Sequence, residues 1–227
     1  MAKIKNKDFV EIEYTGKLRE DGTIFDTTDE SVAKENQLHN ENQSYGPVII
    51  CVGEQQVLPG IDKNLEGKEA GQSYKIDISP EDAFGKKNAK LIQLINTAKF
   101  KKQGITPVPG LQVNIDGNMG VVRTVTGGRT IVDFNHPLSG KELVYDIKIN
   151  KLVDDDKKKL EEYLKLQLNQ KEIKATISEG NAKVELKTEV PKELSAEISK
   201  KVSELIPSIK KVEFVKKEEE KKETPSK

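Results

Sequence analysis

DFVEIEYTGKLREDGTIFD, residues 8–26, holds the opening of the fold. Its first half alternates apolar and polar residues, with Val10, Ile12 and Tyr14 on one face, the period of a half-buried strand. Glu20-Asp21-Gly22-Thr23 reads as a turn, and Thr23–Asp26 restarts an extended segment. The strand texture returns at 47–52, at 73–78 with Tyr74, Ile76 and Ile78 inward, and at 143–153. Leu58-Pro59-Gly60-Ile61 opens a short helix in which Leu58, Ile61 and Leu65 share one face. Residues 29–46, rich in Asn, Gln, Ser and Glu, read as a long polar loop.

Farther out the texture changes twice. Residues 86–135 read as a Lys-rich loop followed by strand-like runs at 111–115, 120–125 and 130–134. The turns between them, Asp116-Gly117-Asn118 and Gly127-Gly128, are hairpin signals. After 143–153, residues 157–168 read as a charged amphipathic helix. Strands are expected at 173–177 and 183–190 around a turn at Gly180-Asn181. Pro191 suits the first turn of a helix carrying Leu194, Ile198, Val202 and Leu205, with a last strand at 209–215. A segment of about 70 residues buries only a modest core alone, so this third is expected to lean on a partner surface. The end, 216–227, is charged low-complexity sequence of disordered composition.

Composition narrows the function. Lys plus Arg and Asp plus Glu each number 38, a net charge of zero. Nucleic acid calls for clustered, unbalanced positive charge, so no such partner is expected. No run approaches the roughly 20 apolar residues that span a bilayer, and no signal-peptide core opens the chain. A cytoplasmic protein without a membrane partner is expected. Cys51, the single cysteine, reads as an inert core thiol. His39 and His136 lie far apart, and neither metal-ligand spacing nor a phosphate-binding glycine motif occurs, so no metal and no cofactor are expected. His39 reads as a solvated residue, His136 as a hydrogen-bonded hinge before Pro137, and Asp154–Asp156 as a linker or helix start.

Six motifs stand in order: Tyr14-Thr15-Gly16; Asp21-Gly22-Thr23 with Phe25-Asp26; Gly53-Glu54 with Val57-Leu58-Pro59-Gly60; Gly71; Ser79-Pro80-Glu81; and Ala83-Phe84-Gly85. In this register the chain resembles the FKBP-type peptidyl-prolyl cis-trans isomerases over residues 1–153. The segment that leaves after Phe84-Gly85 and returns at Asn135-His136-Pro137-Leu138-Ser139-Gly140-Lys141 resembles the insert-in-flap domain of the SlyD branch. The C-terminal third, with the Lys/Glu composition, resembles the extension of archaeal long-type members. The resemblance implies an α+β fold: a half-barrel, an antiparallel sheet around a short helix, from 1–85 plus 136–153. It also implies a small β-rich insert at 86–135, a C-terminal α+β domain at 154–215 and a tail at 216–227.

The resemblance further implies a prolyl slot with Tyr14, Phe25, Asp26, Phe84 and Tyr145 as catalytic residues, and Val48, Val57, Leu58, Ile61 and Leu138 binding substrate. Ile61 stands where many members have a Trp floor, and Phe84 where many have Tyr; both changes speak against tight macrolide binding. Asp26 beside Phe25 needs a reason, since burying a charge is costly. A hydrogen bond from Tyr14 supplies one. The implied partners are unfolded or nascent chains with Xaa-Pro bonds. Leu91, Ile92, Leu94, Ile95, Phe100 and Val108 give the insert more apolar surface than so small a unit hides, and are expected to form a chaperone groove, part of them serving as its core. The competing class is a non-catalytic chaperone or interaction module on the same scaffold. For the C-terminal domain, contact between two copies of the chain is favoured over docking of another partner.

Overall fold

The computed structural model describes residues 3–170, 172–186 and 190–216. The fold is α+β. Its strands are β1 (Phe9–Leu18), β2 (Ile24–Thr27), β3 (Val48–Cys51), β4 (Ser73–Ile78), β5 (Ile92–Asn96), β6 (Gln112–Ile115), β7 (Asn118–Thr126), β8 (Arg129–Asp133), β9 (Leu143–Leu152), β10 (Lys174–Ser178), β11 (Asn181–Leu186) and β12 (Lys211–Lys216). Its α-helices are α1 (Glu30–Glu35), α2 (Pro59–Leu65), α3 (Thr97–Lys102), α4 (Asp156–Leu168) and α5 (Lys192–Leu205). Three sheets form: β2-β1-β9-β4 with β3 on β1, β5-β8-β7-β6, and β10-β11-β12. The chain divides into two compact units, one of Met1–Lys17, Thr23–Ile76 and Val144–Lys227, the other of Leu18–Gly22 and Asp77–Leu143.

In the first unit, β1 is buried on both faces. It pairs antiparallel with β3, Phe9 opposite Cys51, Val10 opposite Ile50, Glu11 opposite Ile49 and Ile12 opposite Val48. Opposed residues share a face. Val10 and Ile12 therefore lie on the face expected from the alternation, and Tyr14 follows at the same period. Phe9, Ile49 and Cys51 lie on the other. There they join Leu160, Leu164, Val184, Ile198 and Val202 in one core. The C-terminal third closes its core on the sheet instead of standing apart. The apolar face of α5 is covered within the chain. Asp155 caps α4, its carboxylate accepting from the Lys158 amide at 2.8 Å, and the Lys158 ammonium reaches Glu11 at 3.1 Å.

Four expectations shift in this unit. The polar loop at 29–46 contains α1, which Asp29 caps by accepting from the Ser31 and Val32 amides while Ala33 is buried. Pro191 is the N-cap of α5 and not a residue of its first turn. The C-terminal hairpin turns at Glu179-Gly180, one residue earlier than expected, because Ser178 pairs with Asn181. The last strand starts at Lys211, and it lies parallel to β11 after the α5 crossover. The tail expected to be disordered lies, apart from Lys216, outside the described residues.

In the second unit, β6-β7 turns through Asp116-Gly117 and β7-β8 through Gly127-Gly128. Both turns have positive φ at both positions, the geometry that matches strand twist in two-residue hairpins. The core is Phe100, Val113, Val122 and Val132, with Ile95, Ile105 and Leu111 packed against it. Two corrections follow. The Lys-rich loop contains β5 and α3, and Asn96 caps α3 by accepting from the Ala98 amide. Phe100, 3% exposed, and Ile95 belong to the core and leave the expected groove; a four-stranded sheet with one inner face needs them to cover it. At the end of β8, buried Asp133 accepts from the Asn135 amide and side chain and from both Arg123 Nε and Nη2. Burial alone would raise its pKa. The bonds from Asn135 and Arg123 outweigh burial and hold it at about 2.

Candidate functional site

Three aromatic rings meet in the first unit. Tyr145, on β9, is 1% exposed. Its ring lies 5.7 Å from that of Tyr14 on β1, tilted by 59°, and 5.8 Å from Phe25 on β2, edge-on at 83°. Edge-to-face rings of this kind hold one another in register. The cluster exists because Gly16 has no side chain: a Cβ there would lie 2.7 Å from Tyr145 Cζ and 3.0 Å from Phe25 Cζ. Gly16 also pairs with Asp26 across β1 and β2, beside an irregularity in the register.

Asp26 sits half-buried beside this cluster. Burial pushes its pKa up, while hydrogen bonds from the Tyr14 hydroxyl and the Thr27 amide oppose the rise. Burial and the Asp26 charge push the Tyr14 hydroxyl up in turn. Tyr14 thus stays a phenol at neutral pH and donates to Asp26, the bond expected from sequence. Burial likewise keeps the Tyr145 hydroxyl protonated.

The other expected lining residues fall on two elements of this unit. Val48 opens β3, half-buried. Val57 and Leu58 lead into α2, where Leu58 is the N-cap, Pro59 the first residue and Ile61 is buried. The loop before α2 is pinned by two residues that sequence reasoning missed as supports. Asp62, buried, accepts from the Gly53 amide at 2.8 Å and the Gln55 amide at 3.0 Å. Glu54 is gripped by Lys201 of α5 at 2.9 Å. Neither carries a sequence signal, because their partners are loop amides and a residue of the distant third. Cys51 below this loop is fully buried, and burial pushes its thiol up to about 12.

Phe84 and Leu138 belong to the second unit. The Phe84 ring stacks on His136 at 4.5 Å and 6°. His136 Nδ1 accepts from the Leu138 amide at 3.2 Å, and the Ser139 hydroxyl donates to the Phe84 carbonyl at 3.0 Å. His136 is therefore hydrogen-bonded, as its place before Pro137 suggests, and also forms the platform for Phe84, which sequence did not disclose. His39 stacks on Tyr45 at 5.3 Å, with 29% of its side chain exposed. Of the residues expected in the groove, Leu91, Ile92, Leu94 and Val108 are exposed, and Met119 joins them. Among the described residues no helix is long and apolar enough to cross a membrane.

Two family models match the chain. The FKBP-type peptidyl-prolyl cis-trans isomerase model matches residues 1–103, and the model described as FKBP26, IF domain, matches residues 93–138. A short-type peptidyl-prolyl cis-trans isomerase of Methanocaldococcus jannaschii is 34% identical over 146 residues, which is 64% of this chain and 92% of the relative. A probable FKBP-type 16 kDa peptidyl-prolyl cis-trans isomerase of Pseudomonas fluorescens is 34% identical over 45% of this chain and 71% of its own length. The FKBP-type isomerase SlyD of Vibrio cholerae is 31% identical over 45% of this chain and 53% of its own. With its rings and its half-buried carboxylate, the chain belongs to the FKBP-type peptidyl-prolyl cis-trans isomerase family, among the SlyD-like members.

Proposed function

We propose that the chain rotates Xaa-Pro bonds against the cluster of Tyr14, Phe25 and Tyr145, and that its insert captures the unfolded chains that carry them. The five-stranded sheet with α2 is read as the half-barrel, residues 86–135 as the inserted domain. The observation that carries the first part is the packing of three rings about a half-buried carboxylate. The barrier to be lowered, ~18–20 kcal/mol, is the lost resonance of the twisted amide, so no bond to the protein is needed. A planar amide separates more charge than a twisted one. An apolar slot therefore destabilises the ground state relative to the twisted state. A shape that fits the twisted proline adds differential binding. A gain of about 10³ in rate takes only ~4 kcal/mol from both effects together. In this reading the rings are walls, Ile61 is the floor, Val48, Val57 and Leu58 edge the slot, and Asp26 holds Tyr14. The test is cis-trans exchange in a short Ala-Leu-Pro-Phe peptide. Acceleration by catalytic amounts supports the slot; none, from folded protein, leaves the scaffold as a non-catalytic binding module.

Asp26 gives the reading a pH signature. Its folded-state pKa lies above the ordinary carboxylate value because of burial. Ionising it costs stability as the pH rises through that value, so Asp26→Asn should not destabilise the fold at neutral pH. Turnover should nonetheless fall about tenfold, since a hydrogen bond to a charged group is worth ~1.5–3 kcal/mol. Wild-type turnover should decline on the acid side at a pH above that of an exposed aspartate, and Asp26→Asn should lack this limb. An unchanged pH–rate profile in the variant removes Asp26 from the mechanism.

The insert is read as the capture surface because Leu94 and Met119 stand 61% and 59% exposed on it. A substrate held there is concentrated for the slot on the same chain. Excision of 86–135 is geometrically mild, since Gly140 donates to the Gly85 carbonyl at 2.8 Å beside the two junctions. The shortened chain should keep its activity on short peptides and lose most of it on proline-limited refolding of a whole protein. Equal loss on both substrates argues against a separate capture surface.

A further inference from the structure

Charge is distributed unevenly along this neutral chain. Residues 86–135 carry eight Lys and Arg against two Asp, a net of +6, so the remainder carries −6. One of the two carboxylates, Asp133, is buried and already held by Arg123. Lys90, Lys99, Lys101, Lys102 and Arg129 are exposed and have no carboxylate within ion-pair distance among the described residues.

The register places part of this charge on the apolar face. Ile95 packs into the insert's core, so Ile92 and Leu94 of β5 point the opposite way. They lie opposite Asp133 and Ile131 of β8. Met119 of β7 is on the same outer face, because its neighbour Gly120 is the residue set against Val132 and Phe134. Cations bracket this face along β5. Lys90 stands two residues before the strand, and Arg129 is paired with Asn96 at its far end.

We infer that the insert selects extended apolar segments flanked by Asp or Glu. The inference rests on the reading of the insert as a capture surface and names the class of segment it takes. Apolar side chains supply the contact, and the unpaired cations supply the choice, since complementary charge steers encounter and penalises like-charged partners. A client rich in Lys around its apolar segment meets the same surface with repulsion.

The test uses the full chain and one proline-free apolar peptide flanked by glutamates, by serines or by lysines, followed by fluorescence anisotropy. The glutamate peptide should bind about tenfold tighter than the lysine peptide at low salt, and the gap should close near 1 M salt, where screening shortens to ~3 Å. The variant K90E/R129E, both positions exposed, should narrow or invert the order with an unchanged circular dichroism spectrum. Equal binding of all three peptides overturns the charge selection and leaves the capture surface standing. Binding of none overturns the capture surface itself. Tighter binding of a single-stranded RNA homopolymer, competing with the glutamate peptide, assigns the cations to nucleic acid and also overturns the inference.

Discussion

Gly16→Val is expected to abolish most isomerase activity while leaving a folded protein. The side chain has nowhere to go. Its Cβ alone would sit 2.7 and 2.8 Å from Tyr145 Cζ and Cε1 and 3.0 Å from Phe25 Cζ, and Tyr145 is too buried to swing away. Overpacking of this kind costs ~1–3 kcal/mol, taken up by displaced side chains. The displaced side chains are the proposed walls of the slot. If the slot loses even ~3 kcal/mol of transition-state fit, kcat/KM on a short prolyl peptide falls about a hundredfold. Gly16→Ala should lie between wild type and valine. Combining Gly16→Ala with Tyr145→Leu makes room for the new methyl group, and should recover part of the melting temperature but none of the activity. Full activity in Gly16→Val would mean that the rings are core only and that the reaction runs elsewhere.

How much of this was legible in the sequence varies with the range of the contact. The alternation of Val10, Ile12 and Tyr14 and the turn chemistry of Asp116-Gly117 and Gly127-Gly128 are local, and the strands and hairpins follow them. The Tyr14–Asp26 bond was legible because a carboxylate beside Phe25 demands a donor. The helix α1 was not, because its one buried residue, Ala33, leaves no period to read. β5 escaped because Leu91–Ile95 is an exposed edge run without clean alternation, and α3 because it is a single capped turn and a half around Phe100. The His136 platform under Phe84 joins residues 52 apart in sequence, and no pattern announces it. Phe9 and Cys51 show the limit most plainly. Cys51 reads as a core thiol, but no local pattern says which core it or Phe9 faces. The second face they form becomes visible only once β1 and β3 are paired and the C-terminal third is set upon them.

That second face leads to the largest effect on stability. A chain ended after Val153 loses α4 and α5 and exposes Phe9, Ile49, Cys51 and Val153, all buried in the intact protein. Burial of an aliphatic or aromatic side chain is worth roughly 1.5–3 kcal/mol. The four together approach the whole stability of an ordinary domain, about 5–15 kcal/mol. The truncated chain also loses the grip of Lys201 on Glu54 and of Lys158 on Glu11. Its melting temperature should fall by at least about 12 °C, at roughly 2–4 °C per kcal/mol for a chain of this size. Cys51 reports the same event chemically. Its thiol is buried and held at about 12 in the full chain, so it should resist a thiol reagent at neutral pH until the protein unfolds. In the truncated chain it should react within the dead time of hand mixing. Leu160→Ala in the full chain opens a cavity in the same core without removing it. It should cost ~2–5 kcal/mol in denaturant unfolding and raise the labelling rate of Cys51 in proportion. Should the truncated chain melt with the full one and keep Cys51 unreactive, the sheet closes this face by itself and the C-terminal third is an appendage. The expected result instead makes that third a second wall of the isomerase sheet, reaching through Lys201 and Glu54 to the loop that carries Val57 and Leu58.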